Sequence, residues 1–201
     1  MMPSHTNTAL PVAGMYSRIE DLLTTEVADS TQSKQIAYWL TSNGSLTALL
    51  EQQAGQRLKV ERAFEGYRPL TLAQKKQLGY QGTCLTRPMM AWVREVLLYG
   101  NSKQPWVVAR SLFPLPSLQG EAKRLQSLQN TPIGYVLFKR QNKLPSIRYF
   151  QSIKSQSQQA PITEKTTTTA TVDVKWCRHT LYDWYRRPLL ISETFLPDFF
   201  A

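Results

Sequence analysis

Most of the parts that announce a particular chemistry are scarce or missing in this sequence. Only two cysteines occur in 201 residues, Cys84 and Cys177, far apart in the chain. That argues against a disulfide framework and for a reducing cytoplasmic setting. The two histidines, His5 and His179, are too few to build a zinc site with such partners. No apolar run reaches 18 residues, so no integral membrane segment is expected. The N-terminal stretch MMPSHTNTALPVAG lacks a basic region followed by an apolar core and does not read as a secretory signal. Glycine-rich phosphate loops, zinc-protease motifs and Ser/Cys–His arrangements are also missing. No run of five like charges occurs, which weakens a nucleic-acid reading despite a net charge of +10. The positive balance favours anionic partners without naming them.

What is present is a pattern of short helices and alternating strands. Residues 1–30 are mixed and polar and read as a loosely held tail ahead of one domain, 31–201. SKQIAYWLTSNG places Ile36, Trp39 and Leu40 on one helix face, and SLTALLEQQAG follows with Ser45 to cap it and Gly55 to end it. QRLKVERAFEGYRP alternates as a half-exposed strand with Leu58, Val60 and Phe64 on one side. Residues 68–90, rich in Pro and Gly, read as a long loop or flap. LQGEAKRLQSLQN reads as an amphipathic helix. TPIGYVLFKR restarts a helix, with Thr131 as its N-cap and Pro132 at its first helical position. LPSIRYFQSI, VKWCRHTLY and RPLLISETFLP read as strands, the last two joined by DWYR. The Gln/Ser/Thr-rich stretch 155–171 cannot bury much apolar surface and reads as a polar loop insertion. Together these elements predict a single α+β domain with a mostly antiparallel sheet.

Charged residues on apolar strand faces single out a site. In AWVREVLLYGNSKQPWVVARSLFP, strict alternation groups Arg94 with Trp92, Val96 and Leu98. It groups Arg110 with Trp106, Val108 and Leu112. A symmetric turn centred near Ser102 would set the two arginines opposite each other, an unfavourable pairing that a dianionic ligand would resolve. Glu193 falls with Leu189, Ile191 and Phe195, and a carboxylate there needs a partner. That partner is either an arginine or a substrate hydroxyl. The start of the TPIG helix offers unpaired backbone N–H groups to a carboxylate. These features describe a small, mostly apolar cavity for a compact acidic molecule.

The motifs WVREVLL, PWVVARSLFPLPSL, TPIGYVLF and RRPLLISETFLP resemble, in order and spacing, the bacterial chorismate pyruvate-lyase family, and SLTALLEQQ is similar to its early helix. The resemblance covers roughly residues 33–198 apart from the 155–171 insertion. It implies an α+β fold with helical flaps over a buried ligand and no cofactor. It further implies conversion of chorismate to 4-hydroxybenzoate and pyruvate, the first step of ubiquinone synthesis, by a cytoplasmic monomer. Carried to this sequence, Arg94 is the grip on the ring carboxylate, and Ile133 and Leu46 are backbone contacts to it. Glu193 faces the ring hydroxyl, and Arg110 is assigned to the second carboxylate of chorismate. The rival reading is a non-catalytic effector-type module of the same fold that binds a small aromatic acid.

Overall fold

The computed structural model describes residues 14–26, 30–138, 144–155 and 173–200. Among the described residues three helices come first: α1 (Ile19–Glu26), α2 (Ser30–Thr41) and α3 (Leu46–Ala54). Strand β1 (Lys59–Pro69) follows, then the short helices α4 (Leu72–Gln77) and α5 (Thr83–Thr86), and then the hairpin β2 (Met90–Tyr99) and β3 (Val107–Pro114). A 3-10 segment, Gly120–Ser127, and one-turn α6 (Gly134–Leu137) carry the chain to the far edge of the sheet. There β4 (Ser146–Ser155), β5 (Asp173–Asp183) and β6 (Pro188–Phe195) complete it. The six strands lie in the order β1-β2-β3-β6-β5-β4, every neighbouring pair antiparallel.

The α+β architecture matches the sequence expectation, and so do most of its stops and starts. Ser45 accepts from the Ala48 amide at the start of α3, and Gly55 takes the left-handed conformation at its end, φ 66°. A cap of this kind contributes about 1 kcal/mol. The turn between β5 and β6 has only two central residues, Tyr185 and Arg186, both at positive φ. The Trp184 amide donates to the Arg187 carbonyl across it at 2.8 Å.

Four local expectations need correction. Residues 14–26 are not a loose tail: Met15, Ile19 and Leu22 are buried, and Tyr16 bridges Phe150 on the edge strand β4. One pair of apolar residues three apart is too short a signal to read as a helix face. The expected loop at 68–90 contains α4, with a capping box between Thr71 and Gln74. There the buried Lys75 ammonium donates to the Leu85 and Arg87 carbonyls. LQGEAKRLQSLQN forms a 3-10 segment rather than an α-helix, with Ala122 and Leu125 buried. Their spacing of three suits a three-residue turn. The TPIG helix is a single turn beginning at Gly134, so Thr131 does not cap it. Of the 155–171 insertion, all but Ser155, the last residue of β4, lies outside the described residues.

The sheet has two faces of different character. On the near face, Val60, Val96, Leu98, Val107, Trp176 and Phe195 pack against α1–α3 through Leu22, Ile36, Leu40 and Leu50. Toward the other end of that face, Phe113, Leu189 and Ile191 pack against Leu118, Leu125 and Leu137. The far face buries Ala91, Val93, Leu112, Leu181 and Leu190 beneath Met15, Leu70 and Leu78. Alternation does not run unbroken along β1. Arg62 pairs with Val96 but Phe64 with Glu95, so Ala63 is an extra residue in a bulge. The bulge separates Val60 from Phe64, which the sequence had placed together, and turns Glu65 to the near face opposite Arg94.

Candidate functional site

The site is a hollow in the near face, lying between its two apolar clusters. Strand β3 makes the room: on this side it presents Val107, Ala109, Ser111 and Phe113 in turn, two small residues between two large ones. Leu46 and Thr47 of α3, Ile133 and Gly134, Tyr182 and Ile191 form the walls. Among the described residues, three charged ones line the same hollow: Arg94, Arg178 and Glu193.

Arg94 is 1% exposed. Its Nη2 donates to the Gln129 carbonyl at 2.7 Å and the Thr131 carbonyl at 3.1 Å. Gln129 sits at φ 49°, a left-handed conformation that a non-glycine residue adopts only when its surroundings hold it there. Glu65 Oε1 lies 3.7 Å from Arg94 Nε, and both atoms are buried without a hydrogen bond. Burial pulls the Arg94 pKa down from the ordinary arginine range, Glu65 pushes it back up, and Arg62 adds to the lowering. An arginine starts so high that it stays a cation here. Its Nη1 makes no hydrogen bond among the described residues. A desolvated cation with an open donor is suited to a carboxylate.

Glu193 is held by a residue the sequence reading missed. Arg178 is its cross-strand neighbour on β5, 2% exposed, and donates from Nε to Glu193 Oε2 at 2.5 Å. Arg178 Nη1 reaches the Trp39 carbonyl, the Ser42 carbonyl and Ser42 Oγ. Arg148, from β4, donates to the Leu40, Thr41 and Ser42 carbonyls. Helix α2 has no basic residue in its own last turn, and these two strand arginines supply the positive charge its C-terminus favours. Burial lowers the Arg148 pKa, with Arg178 adding to the effect. Tyr182, on the same wall, is pushed up to about 12 by burial and then by Glu193.

Leu46 is the first residue of α3 and is buried against the hollow, while Ile133 is half-buried on the opposite lip. Neither amide has a hydrogen-bond partner among the described residues. Gly134 locks the two segments together. A Cβ there would lie 2.6 Å from Ser45 Oγ and 2.8 Å from Thr47 Oγ1, so only glycine fits without displacement.

Arg110 is not in the hollow. Arg94 pairs with Ser111, and Arg110 pairs with Glu95, which puts Arg110 on the far face. It forms an ordinary cross-strand ion pair there, Nε to Glu95 Oε1 at 3.1 Å, with its side chain 42% exposed. The assumed turn centre was half a residue out. Such an error slips the register by one residue, and a slip of one changes the face. No like-charge pair exists across the hairpin. The expected site thus gathers Arg94, Leu46, Ile133 and Glu193 and excludes Arg110. Arg178 carried a readable signal, since WCRHT sets an arginine between Trp176 and Thr180 on one strand face. Glu65 carried none, because only the bulge brings it to this side.

Residues 22–201 match the family model described as chorismate lyase. A probable chorismate pyruvate-lyase of Psychrobacter arcticus is 58% identical over 170 residues, covering 85% of this chain and 90% of that protein. A chorismate pyruvate-lyase of Sodalis glossinidius is 30% identical over 171 residues, covering 85% of this chain and 79% of that protein. Among solved structures, PhnF from Mycobacterium smegmatis aligns over 96% of this chain and 91% of its own at 9% identity, with a TM-score of 0.49. A likeness at that level carries no argument about function.

Proposed function

The chain belongs to the chorismate lyase family, and on that premise we propose that it converts chorismate to 4-hydroxybenzoate and pyruvate. One observation carries the reading to particular residues: a buried, incompletely bonded Arg94 faces a hollow whose opposite side holds Glu193. One strand, β3, separates the two, and they are staggered by two residues along it, which corresponds to about 12 Å between their backbones. Side chains reach inward from both sides, and on this reading the ring of the substrate sits between them. Arg94, aided by the Leu46 and Ile133 amides, holds the ring carboxylate, and Glu193 meets the ring hydroxyl.

Little protein chemistry is then required. The C4–H bond of the substrate breaks, and its electron pair forms the last double bond of the aromatic ring. The neighbouring ether bond breaks, its pair passes to the enolpyruvyl oxygen, and the hydrogen ends on the methylene carbon to give pyruvate. Aromatisation supplies the driving force, and the pocket contributes orientation and stabilisation of developing charge. A monomer in the cytoplasm, binding its product 4-hydroxybenzoate and supplying ubiquinone synthesis, goes with this reading. So does the observation that no helix among the described residues is long and apolar enough to cross a membrane.

Incubating the purified protein with chorismate and following 4-hydroxybenzoate and pyruvate by chromatography tests the proposal. The expected result is equimolar formation of both at a rate proportional to enzyme. Saturable binding of 4-hydroxybenzoate with no turnover would instead favour the effector-type module.

A further inference from the structure

We infer that Arg178 receives the enolpyruvyl side of the substrate and stabilises the charge that develops there as the ether bond breaks. The inference rests on the reading above. Chorismate has two carboxylates, and Arg94 accounts for one of them. With Arg110 on the far face, Arg178 is the other arginine lining the hollow among the described residues. It is built much as Arg94 is. Arg94 is anchored through Nη2 to two backbone carbonyls and keeps Nη1 open. Arg178 is anchored through Nη1 to the end of α2 and through Nε to Glu193, and its Nη2 has no hydrogen bond among the described residues. Each guanidinium is therefore fixed by protein acceptors while one nitrogen remains for a ligand.

The position follows from the chemistry of the substrate. In chorismate the ether oxygen is on the ring carbon next to the one bearing the hydroxyl. If Glu193 meets the hydroxyl, the arginine bound to Glu193 lies beside the ether. Arg178 stands one strand beyond Glu193, on the side away from Arg94. With the same two-residue stagger, this places its backbone about 16 Å from that of Arg94. The bond that breaks is the ring carbon–oxygen bond, and the oxygen leaves with the electron pair. A fixed N–H donor aimed at that oxygen, or at the carboxylate beside it, is stronger in the transition state than in the bound substrate. No oxidant, reductant or second reactant is needed.

Two measurements test this. In the first, Arg178→Gln and Arg178→Lys are compared with the wild type by steady-state kinetics and by titration with 4-hydroxybenzoate, which lacks the enolpyruvyl group. The expected result is that Arg178→Gln lowers kcat roughly a hundredfold, as loss of one such donor does. Product Kd should stay within about threefold, and Arg178→Lys should recover part of the rate. An unchanged kcat, or a product Kd that weakens as much as kcat falls, overturns the inference and leaves Arg178 a structural clamp on α2. The second measurement uses the wild type, so it survives any failure of the variants to fold. It compares inhibition by 4-hydroxybenzoate with inhibition by the same molecule carrying an ether-linked carboxylate on the carbon next to the hydroxyl. The added carboxylate should tighten binding about tenfold or more. Equal or weaker binding overturns the inference. A wild type that releases no 4-hydroxybenzoate from chorismate would instead sink the proposed function itself, so the two failures are distinguishable.

Discussion

The two faces of one hairpin use the same residue type in opposite ways. On the near face Arg94 is buried, fixed by carbonyls from a strained turn, and left with an open donor. One strand away, Arg110 reaches partly into solvent and meets Glu95 across the ladder. Farther along the far face, His179 is satisfied on both ring nitrogens, by Ser192 at 2.7 Å and Gln151 at 3.1 Å. The difference lies in what is left over. On the far face each of these groups has an answering partner, although Arg110 Nε meets Glu95 only as an ion pair without a hydrogen bond, whereas the near face gathers open donors around a hollow. Burial alone does not mark a site; burial together with an unfilled hydrogen-bonding capacity that faces a hollow does.

Substitutions that keep the two faces apart should change stability on one and ligand handling on the other. The largest effect is expected from acid on the far face. Burial holds His179 down to about 4, against about 6.5 in an unfolded chain. The neutral form is therefore the folded form. Between pH 6.5 and 4 the unfolded chain takes up a proton that the folded one resists, so stability falls on acidification by up to about 3 kcal/mol. Above pH 6.5 the group contributes no pH dependence. Urea unfolding at pH 7 and pH 4.5 should show a drop in the wild type that is smaller in His179→Gln. An equal drop in both would mean that His179 does not set the acid limit.

Next comes the near face. Arg94→Ala should weaken 4-hydroxybenzoate binding and raise the chorismate KM about ten- to a hundredfold, the range for a charge-assisted hydrogen bond. Titration calorimetry and initial rates check it, and unaltered product affinity would remove Arg94 from the carboxylate site. Glu193→Gln should lower kcat about tenfold or more with a smaller change in product Kd. The amide still accepts from Arg178 but carries no charge. A change confined to KM would point to uniform binding instead. Smallest of all should be Arg110→Ala. A cross-strand pair this exposed contributes below about 1 kcal/mol, and kcat/KM should stay within about twofold. A tenfold loss would place Arg110 in the chemistry and erase the distinction between the faces.

Much of this was legible because it is local. Ser45 and Gly55 carry their roles in their side chains, and the apolar alternation of β2, β5 and β6 survives in the folded sheet. Glu193 stood out as a carboxylate among apolar neighbours, and it has the arginine partner that such a position requires. What could not be read was set by counting along paired strands. Whether Arg110 faces Arg94 depends on half a residue at a turn. Whether Glu65 reaches Arg94 depends on the extra residue Ala63 in β1. Neither choice alters composition, periodicity or charge, so no property of the single strand reports it.

The closed end of that hairpin shows where the count is made. The Trp106 amide donates to the Leu98 carbonyl, and the Trp106 ring fills the place where a side chain on Gly100 would stand. Contacts between residues only six to eight apart form on the microsecond scale, before distant strands arrive. A larger residue at Gly100 therefore acts on the pocket through time rather than through touch. It would divide the population between two strand alignments, one with Arg110 outside and one with Arg110 within. Such a defect would be read as two slowly exchanging species of different activity, with the affinity of the correctly aligned one intact.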